Sequence, residues 1–123
     1  MPSTFATARS VALEFPGVEE GLSYGTPALK VRGKLMARLK EDGETLVVRV
    51  TPTDRDLLLQ FEPTVFFVTD HNRNYPWVLV RLPRIGRRRL AEVLEEAWRL
   101  VAPKRLQAEY DGERRPRARP RPS

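Results

Sequence analysis

Between Ala28 and Val50 the hydrophobic period is two, which no helix can satisfy. Leu29 and Val31 alternate with Lys30 and Arg32; after Gly33, Leu35, Ala37 and Leu39 alternate with Lys34, Met36, Arg38 and Lys40. The turn EDGE, residues 41–44, carries an Asp-Gly pair suited to positive φ, and Leu46, Val48 and Val50 then alternate with Val47 and Arg49. Successive side chains of a strand point to opposite faces, and turns this short join antiparallel neighbours. The stretch predicts an antiparallel meander with one apolar side and one side crowded with cations.

Helical spacing governs both ends of the chain. Phe5, Ala8, Ala12 and Phe15 follow a capping Ser3 or Thr4 and stop at Pro16, which predicts a helix over residues 4–14. The following PGVEEGLSYGTP, with three glycines and two prolines, reads as a loop. Thr53 or Asp54 opens a short helix to about Phe61, and strands are expected at 64–69 and 77–82. Leu90, Val93, Leu94, Ala97, Trp98 and Val101 recur at i, i+3, i+4, i+7 until Pro103 ends the last helix. The order implies a two-layer α+β fold, an antiparallel sheet of about five strands with helices on one face. A length of 123 residues suits one domain, expected over 1–110. Residues 111–123, DGERRPRARPRPS, have three prolines, five arginines and almost nothing to bury, so a disordered or polyproline-like tail is expected there.

Several chemistries lack their residues. Without cysteine there is no disulfide, thiol nucleophile or thiolate metal site. The one histidine, His71, has no H-E-x-x-H partner, and neither a G-x-x-x-x-G-K-[ST] nor a G-x-G-x-x-G run is present. Asp70 adjoins His71, but adjacent residues rarely face one another and no nucleophile sits at a recognisable elbow. We therefore expect a non-enzymatic protein with no catalytic residue, metal or cofactor. No apolar run approaches a membrane span, and the start MPSTFATARS lacks a secretory layout, so the expected location is the cytoplasm.

The formal charge of +6 points toward a polyanionic partner, nucleic acid first. Half of it lies in residues 111–123, where five arginines stand against Asp111 and Glu113. The alternation places Lys30, Arg32, Lys34, Arg38, Lys40, Arg49 and Arg81 on the uncovered side of the sheet, where they can track phosphates or simply be solvated. The loop FFVTDHNRNYPWVLVRL adds His71, Arg73, Tyr75 and Trp77 as a recognition tip, since aromatic rings can stack on bases. Trp77 shares the phase of Leu79 and Arg81, hence the open side. Arg84, Arg87, Arg88 and Arg89 at the last helix start could bind phosphate or pair with Glu92, Glu95 and Glu96. Tyr24, Thr26, Lys34 and His71 form a third candidate set, a small-ligand pocket.

LEFPGVEEGLSYGTPALKVRGKLMARLKEDG, FFVTDHNRNYPWVLVRL and LEEAWRLVAPKRL together resemble the MmcQ/YjbR family of small bacterial proteins over about residues 5–110. Pro16-Gly17-Val18 with its acidic pair, Tyr24-Gly25-Thr26-Pro27, Gly33-Lys34, His71, Trp77, and Trp98 ahead of Ala102-Pro103 fall in that family's order. The resemblance implies a two-layer α/β fold similar to secretion chaperones and to a double-wing DNA-binding domain, and it attaches no enzymatic activity. The Arg87-Arg88-Arg89 run and the arginine-proline tail depart from it, both by adding positive charge. The combined expectation is a weakly specific DNA-binding module, monomeric or homodimeric, with a protein- or peptide-binding adaptor as the rival reading and a small-ligand sensor as the third.

Overall fold

A computed structural model describes residues 2–70 and 74–114. The strands are β1 (Val18–Ser23), β2 (Thr26–Val31), β3 (Lys34–Leu39), β4 (Thr45–Arg49), β5 (Phe66–Phe67) and β6 (Trp77–Arg81). They form one antiparallel sheet in the order β1-β2-β3-β4-β6-β5. The helices are α1 (Phe5–Ala12), α2 (Pro52–Phe61), α3 (Arg87–Val101) and α4 (Lys104–Arg114).

The meander forms as its alternation requires, and two-residue turns set its register. Ser23 pairs with Thr26 across Tyr24-Gly25, and Val31 with Lys34 across Arg32-Gly33. Both turns hold two successive residues at positive φ, at 56° and 79° and at 51° and 82°, the twist that closes a right-handed hairpin. The third turn is held by Asp42, whose carboxylate accepts from the amides of Glu44 (2.8 Å) and Thr45 (2.9 Å) and from the Thr45 hydroxyl (2.7 Å).

Leu29, Val31, Ala37, Leu46, Val48, Val78 and Val80 on one face of the sheet join a single core with Ala8, Val11 and Ala12 of α1 and Leu90, Val93, Leu94, Ala97 and Trp98 of α3. Helices therefore cover one face, as expected for two layers. Trp98 is fully buried: its ring stacks on Phe15 at 5.5 Å, and its indole N–H donates to the Pro16 carbonyl at 2.9 Å.

Three expectations change. The segment from Pro16 to Pro27, read as a loop, contains β1. An edge strand beside a paired neighbour needs only main-chain bonds on one side, so its glutamates and glycine are tolerated where a central strand would reject them. The sheet accordingly has six strands. Second, the chain turns at Pro103 and continues as α4, whose buried Tyr110 packs edge-on against Phe15 (5.2 Å) and Trp98 (5.1 Å). Residues 111–114, placed in the expected tail, are helical; 115–123 lie outside the described residues. Third, a β-bulge interrupts the β2–β3 register: Leu29 pairs with Ala37 but Lys30 with Leu35, which leaves Met36 as the extra residue.

Candidate nucleic-acid interface

Residues directly opposite one another in an antiparallel pair share a face, so the pairing fixes what the uncovered side carries. Opposite the core lie Lys30 with Leu35, Arg38 with Val47, Val47 with Leu79, Arg49 with Trp77, and Thr45 with Arg81. Lys40 joins them through its amide, which donates to the Thr45 carbonyl at 2.8 Å. Lys30, Arg38, Lys40, Arg49 and Arg81 thus stand together as expected.

Lys34 does not. The bulge inverts the phase of β3 ahead of it, so Lys34 pairs with the core residue Val31 while Leu35 turns outward and Met36 turns inward, fully buried. Arg32 is not a strand residue either. It occupies the left-handed position of the β2–β3 turn and lies exposed at the end of the sheet.

Three guanidinium groups lie over aromatic rings. Arg49 sits 4.6 Å from the Trp77 ring centre and donates through Nε to the Leu35 carbonyl at 3.1 Å. Arg81 sits 4.1 Å above Phe67 and reaches the Pro63 carbonyl at 3.4 Å. Arg38 lies 5.1 Å from the Tyr24 ring and donates to the Thr26 hydroxyl at 3.2 Å and the Leu39 carbonyl at 3.3 Å, with Glu41 3.9 Å away. Its side chain is only 16% exposed. Each guanidinium carries five N–H donors in a fixed plane, so stacking orients the group and leaves donors over for an anion. Against the five cations stand four acids: Glu19, opposite Lys30, Glu41 beside Arg38, and Asp42 and Glu44 in the concavity beside Arg81. The face keeps a net positive charge.

Tyr24, Leu35, Arg38, Lys40, Glu41, Val47, Tyr75 and Trp77 line one groove of about 570 Å³ on this side. Tyr24 and Tyr75 stand at its rims, 85% and 53% exposed. The Arg55 guanidinium holds the Tyr75 carbonyl at 2.6 Å. Sequence reasoning assigned Tyr24 to a ligand pocket and Tyr75 and Trp77 to a separate tip; the fold brings the three together. It missed Leu35, because a bulge has no reliable mark in the residues that form it, and Glu41, which it read only as part of a turn.

The postulated small-ligand set is not assembled among the described residues. Tyr24 and Thr26 flank one end of β2, and Lys34 follows the turn at its other end. His71 and Arg73 lie outside the described residues. Two of the arginines at the start of α3, Arg87 and Arg89, are engaged in ion pairs. Arg89 forms a two-pronged bridge to Glu62 and a 2.9 Å bridge to Glu92, and these carboxylates, Glu62 foremost, raise its pKa. Arg87 lies 3.9 Å from Glu14.

A second concavity, of about 450 Å³, lies between α2 and α3. Val50, Leu57, Leu58, Val93 and Leu100 form its apolar part, and Asp54, Glu92 and Glu96 are its acids. Among the described residues no group of three or more histidine, cysteine or carboxylate side chains is gathered to hold a metal, and no helix is long and apolar enough to cross a membrane.

Comparison with known proteins agrees with this architecture. A Deinococcus radiodurans protein with the DUF419 domain, known from its crystal structure, superposes with a TM-score of 0.71 at 24% identity, covering 89% of this chain and 88% of that one. At that identity the likeness shows the fold. Proteins of Mycobacterium bovis and Mycobacterium tuberculosis, named only as uncharacterized, are 45% identical over 65 residues, 52% of this chain and 50% of theirs. The chain spans about half the length of these curated relatives. The YjbR family model matches residues 13–100, which include every strand of the sheet and all of α3 but its last residue, and the chain belongs to the YjbR family.

Proposed function

We propose that this protein is a non-enzymatic DNA-binding module that grips the phosphate backbone with its open sheet face. The observation that carries the reading is the trio of guanidiniums seated on aromatic rings, Arg38 on Tyr24, Arg49 on Trp77 and Arg81 on Phe67, across a face that no described helix covers. Lys30 and Lys40 extend the same surface. Phosphate contacts made from such a face position a strand without reading its bases, so the affinity is salt-dependent and weakly specific. Tyr75 and Trp77 line the groove and would belong to a wing in the sense of the double-wing likeness.

The test is a titration of labelled DNA by fluorescence anisotropy, with and without residues 115–123, whose four arginines could attract DNA unaided. If about five phosphates are neutralised, affinity drops roughly 10²- to 10³-fold between about 50 and about 200 mM salt. Lys30→Glu with Lys40→Glu should reduce the slope of log affinity against log salt by about 2. Lys34→Glu, on the other side of the sheet, should leave that slope nearly unchanged. No binding at low salt ends the proposal.

One observation favours a second reading, a protein-binding adaptor. The groove between α2 and α3 has Leu57 and Leu100 about half exposed beside Asp54, Glu92 and Glu96, a combination that suits an amphipathic helix with basic flanks. A basic amphipathic peptide that binds this chain, and no longer binds Leu57→Glu, would support it.

A further inference from the structure

We propose that the open face takes single-stranded rather than duplex nucleic acid, with unpaired bases stacking on Tyr24 and Tyr75 while Arg38 and Lys40 hold the phosphates between them. This rests on the DNA-binding reading above and narrows it.

Tyr24 is the first reason. It occupies the first position of a two-residue turn at φ 56°, where asparagine, aspartate or glycine is the unstrained choice and a bulky side chain carries a penalty. Its ring is 85% exposed, so burial in the core gives no return for that strain. What the residue does instead is present a flat aromatic surface at the rim of the groove, propped from beneath by the largely covered Arg38. Strain retained for no core burial, with only the solvent-facing contact to Arg38 in return, is a mark of a functional position.

Tyr75 is the second. It lines the same groove, is 53% exposed, and has its main chain held by Arg55. Between the two rims lie Arg38, Lys40 and the apolar Leu35 and Val47, so rings, cations and apolar floor occur within one concavity of about 570 Å³. A duplex can use the cations but not the exposed rings. Its bases are stacked inside, and no described helix rises from this face to enter a major groove. A single strand uses every part of it, because bases stack on exposed rings regardless of sequence while the backbone follows the cations.

The experiment uses the full chain and two probes, an oligothymidylate of about 12 nucleotides and a duplex of equal length, at low salt. Tyr24→Asn removes the ring while suiting the turn, and Tyr75→Leu removes the other; circular dichroism checks that both variants fold. The single strand should bind more tightly than the duplex, and each substitution should weaken it about tenfold while leaving the duplex affinity within about twofold. Equal or tighter binding of the duplex, or equal loss of both probes in the tyrosine variants, overturns the proposal. If duplex binding also depends on Lys30 and Lys40 in that case, the broader DNA-binding reading stands without this refinement. If neither probe binds, both fall together.

Discussion

Replacing Tyr110 with alanine tests whether α4 is part of the folded core. The side chain is 7% exposed and meets the Phe15 and Trp98 rings edge-on at 5.2 and 5.1 Å, while the Arg99 guanidinium lies 5.7 Å from its centre. Truncating a buried aromatic to alanine costs about 3 to 5 kcal/mol, and each edge-on pair carries about 0.5 to 1.5 kcal/mol of it. Tyr110 lies on the last described helix, which can shift to close part of the gap, so the lower end applies: about 3 kcal/mol. In a domain of this size that lowers Tm by roughly 12 °C. Thermal melts followed by circular dichroism, with urea melts as a check, read the change. Tyr110→Phe, which keeps the ring and its edge-on contacts with Phe15 and Trp98, should lose much less than Tyr110→Ala. A loss below about 1 kcal/mol for Tyr110→Ala would refute the docking of α4 and restore a core that ends at α3.

Other outcomes follow from single sites. Gly17→Ala should destabilise by about 1 to 3 kcal/mol in urea melts, since the added Cβ would lie 2.7 Å from Leu106 Cδ1 at a φ of 80°. Asp42 has its pKa lowered, chiefly by the amide of Glu44 with Thr45 assisting, against an opposing desolvation effect. A carboxylate depressed in the folded state stabilises above its unfolded value of 3.8 and loses that contribution as pH falls through the lower folded value. The stability gap between the parent and Asp42→Asn should therefore be constant near neutrality and close below about pH 4. Tyr24→Gly should raise stability by up to about 1 kcal/mol by relieving the turn; a loss instead would show that the ring supports the fold. A double-mutant cycle on Arg89 and Glu62 should give a coupling of about 1 kcal/mol, modest because both side chains are about one-third exposed.

The alternation from Ala28 to Val50 and the stripe on α3 made most of the fold legible, because each records in the residues themselves which side faces the core. Turn chemistry was legible for the same local reason: Gly33 and Gly43 both lie at positive φ. The edge strand β1 was hidden, since it is held by main-chain bonds to a neighbour and its side chains carry little pattern. The helix α4 was hidden because its burial depends on one aromatic side chain meeting Phe15 and Trp98, residues distant in the chain.

The candidate site divides along the same line. That lysines and arginines would share the uncovered side could be read from a period of two, and for Lys30, Arg38, Lys40, Arg49 and Arg81 the pairing agrees. Which cations belong to it, and what holds them, was settled by packing. One extra residue in β3 sends Lys34 to the opposite side and Leu35 into the groove, and the assembled sheet seats each guanidinium on a ring contributed by another segment. Local periodicity encodes the two faces of a strand, whereas a groove needs residues from several strands in a common register, and register is a property of the assembled sheet.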